Sequence, residues 1–263
     1  MGPPTVLESA LRRDRRWVAG ALLVAVLLCW AWIVPMARDM YGAMDGASAW
    51  MMQGGTGAAY LALLLAMWLV MMAGMMLPSA APTLLLYASV VRRSMEGART
   101  AARLHAFAAG YGLVWGGFSL VATMAQLWLA QALLLSPMMQ LRSGVAGGAL
   151  LLAAGAWQLT PWKQACLHSC RSPAAFIASH WRSGSGGALR MGLAHGAACL
   201  GCCWALMLLL FAGGVMNLYW IAALTVFVLL EKLAPYGLRW GRFGGVLLLL
   251  GGAAMMLSAI PES

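Results

Sequence analysis

Apolar side chains along this 263-residue chain run in long unbroken blocks rather than as one-face stripes with a polar side. The blocks are Trp17–Met36, Gly57–Val91, His105–Leu129, Val145–Gln158, Met191–Val215, Leu218–Leu233 and Phe243–Ile260. A helix needs about 20 apolar residues to cross the hydrocarbon core of a bilayer. Val145–Gln158 is short on that measure and is expected to extend to Leu141 or Trp162. Gly57–Val91 is too long for one straight crossing, and Pro78 and Pro82 within it predict a long helix kinked there, with room for a break. The pattern predicts an all-α, polytopic bundle of seven transmembrane helices.

The charges test that count. With the N-terminus in the cytoplasm, all 17 Lys and Arg residues except Arg38 and Arg142 fall on the inner side. Omitting one span would invert every later loop and destroy the asymmetry, so the C-terminus is expected outside. Residues 1–16 form a basic cytoplasmic tail, 17–260 a single membrane domain, and 261–263 a short tail. The stretch after Arg12–Arg16 ends in Trp30, Trp32 and Pro35 with no small-residue cleavage site, which predicts a first span rather than a removable leader. Within the domain, 37–55 is a Met-rich outer loop. Residues 161–190 form a Cys/His cytoplasmic loop whose tail, Ser183–Gly187, reads as a flexible connector.

Composition agrees. The chain is 63% hydrophobic and 9% charged, too few charges to cover a soluble surface. That excludes a soluble enzyme, a disordered chain and a disulfide-stapled domain. Thirteen Trp suit lipid–water boundaries. The net charge of +10 reads as topology, because no basic patch interleaved with aromatics suggests nucleic acid. The bilayer itself is the first partner.

Chemistry concentrates in sulfur. On a helix, His195, Cys199, Cys203 and Met207 are four residues apart and form one stripe, with Cys202 beside it. A single Cys there would be a small hydrophobe. Three with a His point to Cu(I), with zinc as the alternative ion. A second group, Cys166, His168 and Cys170, shares a face if helical and lies where the stripe begins. The third is methionine, of which there are 20. Met67, Met71 and Met75 make one row and Met72 and Met76 an adjacent one. Thioethers bind Cu(I) without losing a proton, which suits a relay, although such stripes also serve as plain core. Met36, Met40, Met44, Met51, Met52, Met138, Met139, Met216, Met255 and Met256 map outward and all the cysteines but Cys29 inward, matching an oxidising exterior and a reducing cytosol. Glu231 and Lys232 are ionisable groups at a span's edge, read as proton carrier or counter-ion, or else as a snorkelling Lys and a helix–helix contact. Arg103 and His105 read as boundary residues, and Asn217 as a helix cap.

Met67–Pro78, Lys163–Pro173, His195–Met207 and Glu231–Lys232 together resemble an uncharacterised bacterial family. Its members carry a domain of unknown function and the label of predicted metal-binding integral membrane proteins. The resemblance covers most of the chain after the first span and implies a polytopic bacterial inner-membrane protein that binds metal. The reading that follows is soft-metal handling, chiefly of Cu(I), by transport, relay or delivery, with a periplasmic metal-binding or metal-accepting protein as partner. Two alternatives stay open. One is a membrane thiol–disulfide oxidoreductase pairing Cys166/Cys170 with Cys199/Cys202/Cys203; the other is a membrane scaffold with incidental sulfur.

Overall fold

Backbone N–H and C=O groups kept from water need partners within the chain, and a helix supplies them internally. The computed structural model describes residues 6–40, 57–94, 99–136 and 139–259, with side chains from Arg16 onward. It is an all-α structure. Its helices are α1 (Val6–Met40), α2 (Ala58–Arg93), α3 (Thr100–Gln131), α4 (Gly144–Leu159), α5 (Pro161–Arg171), α6 (Pro173–His180), α7 (Gly184–Leu208), α8 (Leu210–Gly213), α9 (Leu218–Leu233) and α10 (Gly237–Ser258).

Among the described residues, five segments are long and apolar enough to cross a membrane: Arg16–Met40, Ala58–Arg93, Thr100–Gln131, Gly184–Gly213 and Gly237–Ser258. The other two expected spans are α4 and α9, with 16 residues each. At 1.5 Å per residue that is about 24 Å, short of a hydrocarbon core of about 30 Å. The expected extension of α4 does not occur. Leu141 pairs with Leu135 in an isolated antiparallel bridge. At the other end Thr160 caps the next helix, accepting a bond from the Lys163 amide at 3.2 Å, so Trp162 belongs to α5. Pro161 in the first turn of α5 favours that restart.

Several other expectations are refined. The long helix expected over Pro78 and Pro82 is present as α2, without the break, and packs between α1 and α3. The basic segment before the first apolar block is helical from Val6 and continuous with it in α1. The 161–190 segment contains helices: α5 is amphipathic and docks on α7, burying Lys163, Leu167 and Cys170. The Ser183–Gly187 connector is the start of α7, opened by Gly184 at φ +74°. Met44, Met51, Met52 and Met138 lie outside the described residues.

Two helix pairs approach backbone to backbone. In α3·α7 a Cβ on Gly110 would collide with the Leu189 carbonyl, and one on Gly192 with the Phe107 carbonyl. In α4·α10 a Cβ on Gly252 would lie 2.8 Å from the Gly148 carbonyl oxygen, and one on Gly155 2.8 Å from that of Gly245. Small residues permit such approach in helices that present apolar faces outward. Outward faces here carry Leu23, Leu27, Leu113, Leu120, Leu250 and Leu257, all more than half exposed.

Candidate metal centre

The close α3·α7 approach places the sulfur stripe of α7 against α2 and α3. His195, Cys199, Cys202, Cys203 and Met207 are all buried, so the thiols face the bundle core rather than its rim. Met76 of α2 meets them: its Sδ is 3.9 Å from Cys203 Sγ. For metal–sulfur bonds of about 2.3 Å, two sulfurs at that distance subtend about 115° at a shared ion, between tetrahedral and trigonal. Cys199 Sγ lies 3.1 Å from the Tyr111 hydroxyl of α3. It also accepts a bond from Lys232 Nζ of α9 at 2.9 Å, and the same ammonium donates to Ser79 Oγ at 3.2 Å. Lys232 therefore points into the site instead of snorkelling outward.

α5 closes the end of this cluster. Cys170 is within hydrogen-bonding reach of the Cys199 and Cys202 sulfurs; those contacts, then burial, push its thiol well above the usual range. Cys166 takes another place, because its Sγ lies where a Cβ on Gly201 would come within 2.7 Å. Burial also raises its thiol. His168 is exposed on the outer side of α5 and does not join the cluster. The two thiols of α7 nearest Cys199 turn back on its carbonyl, Cys202 at 3.1 Å and Cys203 at 2.9 Å. Accordingly, among the described residues no three Cys, His, Asp or Glu donors form a ready-made metal cage. The sulfur neighbours are thiols plus a thioether, and all six cysteines are free.

His195 stands one turn before Cys199 in an aromatic box, with ring centroids 6.0 Å from Phe107, 5.8 Å from Tyr111 and 5.0 Å from Phe176. Its Nδ1 has no hydrogen-bond partner. The methionine rows separate. Met72 and Met76 line a cleft of about 290 Å³ between α2 and α3, together with Tyr111, Trp115 and Ser119. Met67, Met71 and Met75 are packed into the core beside it.

Glu231 has a structural partner that sequence spacing did not suggest. It pairs with Lys163 of α5 and accepts from Gln158 Nε2 of α4 at 2.9 Å, all three side chains being buried. Arg171 caps the end of α9 by donating to the carbonyls of Glu231, Ala234 (2.7 Å) and Pro235 (3.2 Å). Together these bonds latch α5, and with it Cys170, over the thiols. Arg103 was another residue whose burial the sequence concealed. Its guanidinium is fully buried, donates to the Arg182 carbonyl at 2.6 Å and lies 4.8 Å from the centre of the Trp181 ring. The signal available was its position on the same helical face as Phe107 and Gly110.

A family model described as "PpoB2: Copper chaperone" matches residues 65–255, from α2 to α10 and well over half of the chain. The protein belongs to the PpoB2 copper chaperone family. No curated protein and no solved structure matches the chain. The matched region contains every sulfur and charged group just described. Membership makes the protein a copper-associated one, in agreement with the metal-binding family that the motifs resemble. In a copper chaperone the ion is cargo, so donors that can open and close around it fit better than a rigid four-ligand cage.

Proposed function

We propose that this protein is an integral membrane copper chaperone that binds Cu(I) between Cys199, Cys203 and Met76 and passes it along the bundle. One observation carries the reading: sulfur from separate segments of the chain, Met76 on α2 and the thiols on α7, meets in a buried core with two of the atoms 3.9 Å apart. Thiolate and thioether donors select Cu(I), and two or three such donors suffice for it where zinc takes four. Cys202 and Cys170 stand beside this set as donors to which the ion moves next, and His195 as the imidazole at its edge.

In this reading α4 and α9 also cross, as the sequence pattern and the charge asymmetry suggest, and the resulting seven spans with the N-terminus inside orient the relay. Copper enters from the Met-rich outer side, follows Met72 and Met76 along the α2·α3 cleft with Met67, Met71 and Met75 behind them, and reaches thiols near the cytoplasmic face of a bacterial inner membrane. Cys170, latched there by α5, and then Cys166 are the inner acceptors. A periplasmic metal-carrying protein is the corresponding outer partner. A neutral thioether path avoids carrying an isolated anion through the hydrocarbon, and Glu231, already paired with Lys163, holds the latch rather than the ion.

The test is copper retention. Full-length protein purified anaerobically in detergent after growth with copper is expected to hold Cu(I). The Cys199→Ser/Cys203→Ser protein is expected to fall to the metal-free background at unchanged yield. Met76→Leu should weaken retention at least tenfold in competition with a Cu(I) chelator. Copper undiminished in the double serine variant would refute this ligand set.

A further inference from the structure

The ammonium of Lys232 occupies an unusual position for a cation: fully inside the bundle, between a hydroxyl and the thiol that the proposed function assigns to copper. A buried charge in such surroundings is costly unless a partner compensates it. Among the described residues, no carboxylate packed on this end supplies one. Glu231 is taken by Lys163, and Arg171, itself a cation, donates to the carbonyl end of α9. Tyr111 and Ser79 contribute neutral hydroxyls. What faces Lys232 is the thiol of Cys199, at 2.9 Å, with Cys202 and Cys203 in the same helical turn.

We infer that Lys232 is a specificity-determining residue that sets the charge of the ion this site accepts. Metal-bound thiols are thiolates. Cys199 and Cys203 as thiolates carry two negative charges, and Lys232 returns one positive charge. A monovalent soft ion then brings the site to neutrality, with the Met76 thioether adding no charge. A divalent soft ion such as Zn(II) or Cd(II) would leave one uncompensated positive charge away from water. A third thiolate would repair that balance, but although Cys170 and Cys202 lie close by, among the described residues no three Cys, His, Asp or Glu donors are placed to hold one ion together. Donor number and charge thus act in the same direction, and the charge part resides in a single side chain 33 positions from its thiol.

This inference rests on the proposed Cu(I) site, and the experiment separates the two. Purified full-length protein is loaded anaerobically with Ag(I), a monovalent soft stand-in for Cu(I), or with Cd(II). Binding and mutual competition are read from the sulfur-to-metal charge-transfer absorption and from metal analysis after desalting. Wild type is expected to retain Ag(I) and to exclude Cd(II) at equal concentration. Lys232→Met, similar in length but uncharged, should shift the Cd(II)-to-Ag(I) preference at least tenfold towards Cd(II), whereas Lys232→Arg should keep the wild-type preference. Lys232→Gln makes the same comparison should the Met variant fold poorly. Equal Cd(II) and Ag(I) binding by wild type, or an unchanged preference in both uncharged variants, would overturn the role of Lys232 while leaving the copper site standing. Failure of wild type to bind Ag(I) at all would overturn both.

Discussion

The α3·α7 and α4·α10 pairs are built by the same device and serve different ends. Each brings two backbones together at glycines, Gly110 and Gly192 in the first, Gly148, Gly155, Gly245 and Gly252 in the second. Around the α4·α10 glycines stand Leu152, Leu249, Met255 and Met256, which add packing only. Around the α3·α7 glycines stand Tyr111, His195 and Cys199, and the next helices bring Met76 and Lys232 to them. Glycine spacing therefore specifies closeness, and chemistry comes from the side chains one turn further along. In both pairs the glycines act as a platform; only one platform carries sulfur.

The sharpest way to break this contrast is to remove the latch that closes the sulfur-bearing side. Lys163→Met would leave the Glu231 carboxylate buried without its cation. That is expected to cost about 3–5 kcal/mol, read as a lowered unfolding midpoint in detergent, and Lys163→Met/Glu231→Leu should recover much of it. Next come the glycines. Gly192→Ala drives a Cβ into the Phe107 carbonyl and should cost about 3 kcal/mol and lower copper retained per folded protein. Gly252→Ala, 2.8 Å from the Gly148 oxygen, should cost about 1–2 kcal/mol and leave copper per folded protein unchanged. Equal copper loss from both would mean that the α4·α10 pair supports the site as much as the α3·α7 pair does. The smallest effect is expected from His168→Ala. This exposed side chain on α5 should change neither unfolding nor copper retention within error.

Much of this was legible from sequence because it depends on local order. Helices follow from apolar blocks whose backbone must bond to itself, and the one-face alignment of His195, Cys199 and Cys203 follows from about 3.6 residues per turn, which makes residues four apart neighbours. The copper association was readable for a similar reason, since the density of thiols and thioethers is chemistry regardless of arrangement. Less was legible where partners are remote in the chain. The Cys166/His168/Cys170 group looked like one unit, yet α5 turns Cys170 to the α7 thiols, sets Cys166 on Gly201 and leaves His168 exposed. Neighbouring ionisable groups looked like a pair, but Glu231 and Lys232 point to different partners because adjacent residues on a helix are about 100° apart.

Sequence by itself determined the helical class, the sulfur inventory and which thiols share a stripe, since each is fixed by covalent order and helical period. Tertiary structure alone decided that Met76 reaches Cys203, that Lys232 faces Cys199 and that Lys163 holds Glu231. Those contacts join residues separated by 127, 33 and 68 positions. No periodicity encodes such meetings; they are settled by which helices pack together and how closely glycine lets them approach.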